Sequence, residues 1–486
     1  MRDRVVRRAS ILLLICPSLL LAEEASKLSP AVREYVRVDA PVVALTHVRV
    51  IDGTGAPALE DQTVVIERGK IKAMGGAEKT PAPAGAQILD LPGYTVIPGL
   101  VGMHDHLFYP SGGGTAIYNE MGFSAPRLYL ASGVTTIRTT GSIEPYTDLE
   151  LKKLIDGGKM VGPKTHVTGP YLEGAGAFTP QLYELTGPEE ARRMVDYWAE
   201  EGVTSFKAYM HITRAELGAA IEAAHKRGLK ITGHLCAVGF REAAQLGIDD
   251  LEHGLEVDTE FVPGKAPDTC PSTQQTYAAL AQLDLEGSPV KEMVRDLVRH
   301  HVAITSTLAV LETFVQNRPP LEQRVLDALL PQARVDYLAG RIRINERAMG
   351  QQSGPVFTAD LFQKEMKFER DFVKAGGLLL AGEDPTGYGG VLPGFGDQRQ
   401  VELLVEAGFT PLEAIHIASA NGAEWLGESE RIGTVAPGKQ ADLVVVHGDP
   451  SMRIADIEKV EIVFKDGVGF DSAKLVDSVR GAVGLH

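Results

Sequence analysis

Eight short runs rich in β-branched and apolar residues, separated by stretches of helical periodicity, constrain this chain more than any other feature. They span 96–107, 134–138, 164–168, 203–208, 230–234, 250–253, 302–307 and 378–384. Apolar runs of this length bounded by turn residues read as buried strands. Strands that alternate with helices build a parallel sheet. Several intervening segments carry start signals. Thr213 with Glu216 and Thr410 with Glu413 form capping-box patterns, the second with Pro411 at the first helical position. Segment 188–201 opens on acidic residues, which suit a helix N-terminus, and 290–300 carries Met293, Val294, Leu297 and Val298 as an apolar stripe. Eight such units predict an α/β chain folded as a (β/α)8 TIM-type barrel, with its active site at the C-terminal ends of the strands.

The two ends of the chain follow another pattern. Residues 43–50, 63–67 and 71–74 alternate with period two around turns at Asp52-Gly53-Thr54-Gly55 and Arg68-Gly69-Lys70, and 433–435, 441–446 and 459–467 form a matching set. They predict one small β-sandwich domain composed of 40–97 and 430–470, with the barrel, 98–429, inserted between. A chain of 486 residues, 44% of them hydrophobic, can fill both cores. A net charge of -16 with no Lys/Arg run excludes a nucleic-acid surface.

Residues 1–22 stand apart. Arg2, Arg4, Arg7 and Arg8 precede an apolar run over 11–21, interrupted by Pro17, before Ala22-Glu23-Glu24 turns polar. This is the layout of a signal peptide, too short to span a membrane comfortably, so an exported protein, periplasmic or extracellular, is expected, cleaved near Ala22 and without an integral membrane segment. A lipid anchor on Cys16 is the lesser reading, because Ile15 rather than a small residue precedes it. Cys236 and Cys270 remain, and spacing does not decide between a disulfide and two buried thiols.

Successive strand residues point to opposite faces. His104 and His106 therefore reach one point just beyond the first strand, while Asp105 between them points away. Lys207 lies on the fourth strand, and His234, His253 and Asp384 end the fifth, sixth and eighth. One histidine after an apolar strand is ordinarily a satisfied polar residue. Six donors in register with strand ends point to a metal centre.

The residues Pro98-Gly99-Leu100 leading to His104-Asp105-His106, Gly133-Val134-Thr135-Thr136-Ile137-Arg138, Ser205-Phe206-Lys207, Gly233-His234, Leu251-Glu252-His253-Gly254, Asp384, and the tail from Thr410 through Gly433 to Leu443 resemble the amidohydrolase superfamily. Within it the chain is most similar to the imidazolonepropionase-like and exported prolidase-like group, over about 43–467. The resemblance implies that His104, His106 and Asp384 hold one divalent ion and His234 and His253 a second. Lys207, its charged form disfavoured by burial, would be carboxylated and bridge both. Zinc is the expected metal, and iron, manganese or cobalt fit the same donors. Two ions sharing a water lower its pKa towards 7, and Asp384 would act as general base and then general acid.

The implied reaction is hydrolysis of amide C–N bonds in small peptides or N-acyl amino acids, as in a dipeptidase. Alternatives are a cyclic amidase, lactonase or deaminase of the same superfamily, or a non-catalytic metal-binding scaffold. Lys207 weighs against the deaminase and the complete donor set against the scaffold. Two positions depart from the usual pattern: Thr139 stands where an aspartate commonly follows the arginine, and Glu383 where a threonine commonly precedes the aspartate. They bear on metal affinity and substrate preference. The loop 108–114 is expected to be flexible and near the metals. Tyr109, Tyr171, Tyr209 and His211 are candidate substrate contacts. Segment 312–357 is a candidate lid or an elaboration of the outer wall. The expected partner is a small-molecule or peptide substrate, and a homo-oligomer is neither required nor excluded.

Overall fold

A computed structural model describes residues 28–111 and 117–484. The expected signal segment with Cys16, and residues 112–114 of the loop after the first strand, lie outside the described residues. Eight strands alternate with helices through the middle of the chain: β1 (Leu100–Asp105), β2 (Val134–Thr139), β3 (Lys164–His166), β4 (Ser205–Ala208), β5 (Lys230–Gly233), β6 (Asp250–Glu252), β7 (Ala303–Ser306) and β8 (Leu379–Ala381). β1 to β3 form one parallel sheet and β4 to β8 another, each in sequence order. Backbone bonds cross both seams. After β3, Thr204 N donates to Val167 O at 2.8 Å and Gly169 N to Ser205 O at 2.9 Å; after β8, Asp384 N donates to His104 O at 2.9 Å. The arrangement is TIM-barrel-like. Both expected capping boxes form, at Thr213 and Thr410, and helix Ser288–Arg299 buries Val290, Met293, Val294 and Leu297.

The run 96–107, expected as one strand, is two. Tyr94–Pro98 pairs antiparallel with Leu443–His447, whereas β1 pairs parallel with β2. The break falls at Pro98-Gly99. Proline has no N–H with which to extend a ladder, and a Cβ on Gly99 would meet Thr135 Oγ1 at 2.0 Å. Gly99 N donates instead to Asp442 O at 2.9 Å, and the chain passes from one sheet to the other.

Strands from the two chain ends interleave in a single nine-stranded sheet. Its order runs Val36–Val38, Val468–Asp471, Val460–Lys465, Leu443–His447, Tyr94–Pro98, Val42–Val50, Leu59–Glu67, Lys70–Gly76, with Gln87–Asp90 also on Val42–Val50. Its apolar core includes Val43, Leu45, Val64, Ile66, Leu443, Val445 and Phe464. Residues 433–435, expected as a strand, form a bend: Gly433 takes φ 86°, which no extended strand accommodates. Among the described residues, no helix is long and apolar enough to cross a membrane.

Candidate active site

The six residues singled out at the strand ends converge. His104 Nε2 lies 3.7 Å from Asp384 Oδ2 and His106 Nε2 3.5 Å from Asp384 Oδ1. His253 Nδ1 lies 3.8 Å from Asp384 Oδ2, and Lys207 Nζ lies 3.2 Å from His104 Nε2. The rings of His234 and His253, and of His104 and His253, are 4.5 Å apart. His253 and Asp384 have positive φ, 69° and 52°. Left-handed backbone is costly for such residues and persists where the surroundings impose it. Here it turns both side chains into the centre just past β6 and β8.

A second layer of side chains fixes the first. His104 Nδ1 is 2.8 Å from Glu252 Oε2. A carboxylate at that distance accepts the Nδ1 proton, which leaves Nε2 as the free donor towards the centre. Arg138, fully buried, donates from Nη2 to Glu252 Oε1 at 3.0 Å and from Nη1 to Thr232 at 3.2 Å, and stacks 5.0 Å from Trp425. Thr307 Oγ1 lies 2.7 Å from His253 Nδ1.

Burial decides the protonation of the cluster. It pushes Lys207 down to about 8, against the attraction of Glu252 and Asp384. Burial, reinforced by Lys207, pushes His104 down to about 4, and burial also lowers His106, His234 and His253. For Asp384 burial acts upward, but the neighbouring His104, His106 and His253 outweigh it and hold the carboxyl well below its usual range. Neutral imidazoles with an ionised carboxylate are the protonation state a divalent ion requires. Donor atoms of His104, His106 and Asp384 all lie within 4.8 Å of one another. Asp384 Oδ1 is buried without a hydrogen-bond partner. These residues fit a first-row divalent ion such as zinc.

Asp105 does point away, and it does not do so alone. Its carboxylate meets Glu383 and Asp397, again with donor atoms within 4.8 Å. A Cβ on Gly102 would meet Asp105 Oδ2 at 1.9 Å, so this glycine makes room for the acid. Both Asp105 oxygens, Glu383 Oε1 and Asp397 Oδ2 are buried without a hydrogen-bond partner, while Glu383 Oε2 accepts from Asp397 N at 3.0 Å. Burial raises all three carboxyls, Asp397 to about 7, and mutual repulsion adds to the rise at Asp105 and Glu383.

His106, His234 and His253, with Lys207 and Asp384, form the floor of a cavity of about 390 Å³. Tyr171 and Tyr209 line it, with Lys207 Nζ 5.4 and 5.6 Å from their ring centres. Tyr109 and His211 do not. Tyr109 is buried and its hydroxyl donates to Gly389 O at 2.7 Å; His211 turns to Glu173, N to Oε1 at 2.7 Å and Nδ1 3.3 Å from Oε2. The loop expected after β1 begins as a strand instead, Phe108–Ser111, paired antiparallel with Ile117–Glu120, and the Phe108 ring stacks on His106 at 4.3 Å. Segment 312–357 contains helices Gln323–Leu326 and Pro331–Ala348, whose Arg324, Tyr337 and Arg341 line a second cavity of about 230 Å³. Of segment 312–357, Phe314 lines the first cavity, and the two helices contribute to the second instead. Cys236 and Cys270 are joined as a disulfide in the cavity wall.

Glu252, Thr307 and the wall residue Glu256 escaped sequence reasoning. The available signal was position: Glu252 directly precedes His253, and Glu256 follows it by three residues at a strand end.

Comparison with known proteins bears on the fold and the family. A bottromycin amidohydrolase structure superposes with TM-score 0.66 at 21% identity, covering 95% of this chain and 97% of that one. A candidate prolidase from Bifidobacterium longum gives 0.63 at 25% identity, covering 90% and 98%. An enamidase from Eubacterium barkeri is 28% identical over 210 residues, 40% of this chain, so the match spans half the length of that curated relative. The sequence model of the amidohydrolase family matches residues 95–286 and 370–469, more than half of the chain, and the protein therefore belongs to the amidohydrolase family.

Proposed function

We propose that this protein is a metal-dependent hydrolase that cleaves amide C–N bonds of small substrates with water. The observation that carries the reading is the convergence of His104, His106, Lys207, His234, His253 and Asp384, all but the fully buried His104 lining one cavity. His104, His106 and Asp384 would hold one divalent ion, zinc by donor chemistry, and His234 and His253 a second, with Lys207 between them. When bound, such ions acidify water and polarise a carbonyl. Lys207, at about 8, is partly neutral near pH 7 and so suited to carboxylation as the bridging group. Asp384 is ionised and faces the centre, placed to accept a proton from the attacking water at a carboxylate oxygen and return it to the leaving nitrogen. Glu252 and Arg138 hold the His104 ring so that Nε2 keeps its lone pair towards the centre. Similarity to an enamidase supports a C–N bond as the one cleaved. The sequence of residues 1–22 supports export.

The test is a panel of small amides assayed on metal-loaded protein alongside its metal content. Lys207→Ala is expected to lower occupancy and turnover together; full activity in that variant would remove the bridged mechanism. Stoichiometric metal with no turnover of amides, cyclic amides or lactones would restore the scaffold reading.

A further inference from the structure

The wall of the active-site cavity carries a carboxyl group that meets no basic side chain on the wall among the described residues. Glu256 sits in the 3₁₀ turn Gly254–Val257, directly after His253, and lines the cavity. The turn is clamped from behind, with Leu255 N and Glu256 N donating to the two carboxylate oxygens of Glu365 at 3.0 and 2.7 Å. One Glu256 oxygen, Oε1, accepts from the Tyr277 hydroxyl at 2.5 Å. The rest of the wall is largely aromatic and aliphatic, with Phe108, Tyr118, Phe178, Leu311 and Phe314.

Among the described residues lining this cavity, Lys207 is the only Lys or Arg side chain, and it is engaged at the floor 3.2 Å from His104. Residues 112–116 contain no charged side chain. A carboxylate brought in by a substrate would therefore find no basic residue on the wall and would feel Glu256. Burial raises this half-buried carboxyl, and a protonated amine beside it would favour the ionised form and pair with it in largely apolar surroundings.

We infer that Glu256 selects substrates with a protonated amine on an apolar or aromatic body and no free carboxylate, such as amides of aromatic amino acids. This inference rests on the hydrolytic reading of the same site and narrows it, because dipeptides and N-acyl amino acids with a free carboxylate become poor substrates. Tyr277 is the positioning residue that orients the Glu256 carboxylate.

Two measurements test it on metal-loaded protein. By calorimetry at pH 7, phenethylamine should bind about tenfold tighter than the isosteric neutral 2-phenylethanol, the size of the net gain from one hydrogen bond to a charged group. Glu256→Gln should collapse that ratio to about unity, with a thermal melt checking that the variant folds; Tyr277→Phe, which keeps the charge, should retain most of it. In turnover, L-phenylalanyl-L-phenylalanine amide should exceed the free dipeptide in kcat/KM by about tenfold or more. Equal binding of amine and alcohol by the native protein, or an unchanged ratio in Glu256→Gln, overturns the inference. If Glu256→Gln does not fold, the native ratio decides alone. Glu256-dependent amine binding with no amide hydrolysed removes the hydrolase reading and leaves the selectivity standing. Hydrolysis of the free dipeptide as fast as its amide, without amine preference, keeps the hydrolase and removes the selectivity.

Discussion

His104, His106 and Asp384 form one triad of donors; Asp105 and Glu383, each a residue away along the chain, form another with Asp397 of helix Phe395–Glu406. The two differ in surroundings more than in position. The first opens on a cavity and mixes imidazoles with one carboxylate; the second is sealed and consists of carboxylates alone. Asp384 is held well below the usual carboxylate range by the histidines around it, while Asp397, equally buried, is pushed up to about 7. Burial raises both. What separates them is whether burial is overcome: the histidines outweigh it at Asp384, whereas the hydrogen bonds that oppose it at Asp397 do not, which makes one acid a ready anion and the other a proton holder.

The strongest way to break this contrast is to neutralise one acid from each triad. Asp384→Asn should lower kcat on a hydrolysed amide by about 10³-fold, within the range of a general acid–base group. Asp397→Asn should cost less than about tenfold in the same assay, and a comparable loss would show that the sealed triad also takes part in turnover. The open face is also held covalently, by Cys236–Cys270 across 34 residues. Replacing both cysteines by serine should destabilise the protein by about 3–4 kcal/mol, read as a lowered Tm. Glu252→Gln should weaken metal binding by about 10–100-fold in chelator competition, because it removes the anion that orients His104.

The smallest effect is a pH dependence of opposite sign at the two acids. A carboxyl with a raised folded pKa contributes stability that is fully present below about 4 and lost as pH rises through about 7. Asp397→Asn should therefore reduce the loss of stability between about pH 4 and 7, by on the order of 1 kcal/mol per pH unit. Asp384, with its lowered pKa, contributes stability that is present above the ordinary carboxylate range and lost as pH falls below it. Thermal melts of native protein, Asp397→Asn and Asp384→Asn across this range separate the two; parallel profiles would contradict the contrast.

The strand-and-helix alternation and the six converging donors were legible because both depend on local rules. An apolar run needs burial, a parallel strand needs a crossover helix, and residues two apart on a strand share a face. The same rule of two hid Glu252. Alternation sets it opposite to His253, but the positive φ at His253 turns that ring back towards the centre, and both residues serve one cluster. The break at Pro98-Gly99 was hidden in a continuous apolar run, since both halves are buried and only their pairing partners differ. Tyr109 shows the reverse error: a tyrosine beside the donors in sequence whose hydroxyl is spent on Gly389.

By itself, then, the sequence determined the class of fold, the family resemblance and the six candidate ligands, all properties of residue type, spacing and strand position. Only the tertiary structure decided that Cys236 and Cys270 pair, that Asp105 joins two other acids, that Glu252 and Arg138 stand behind His104, and that Glu256 lines the cavity. Each of these joins residues distant in sequence, and its energetics depend on burial and on the sign of the nearest charge, which exist only once the chain has folded.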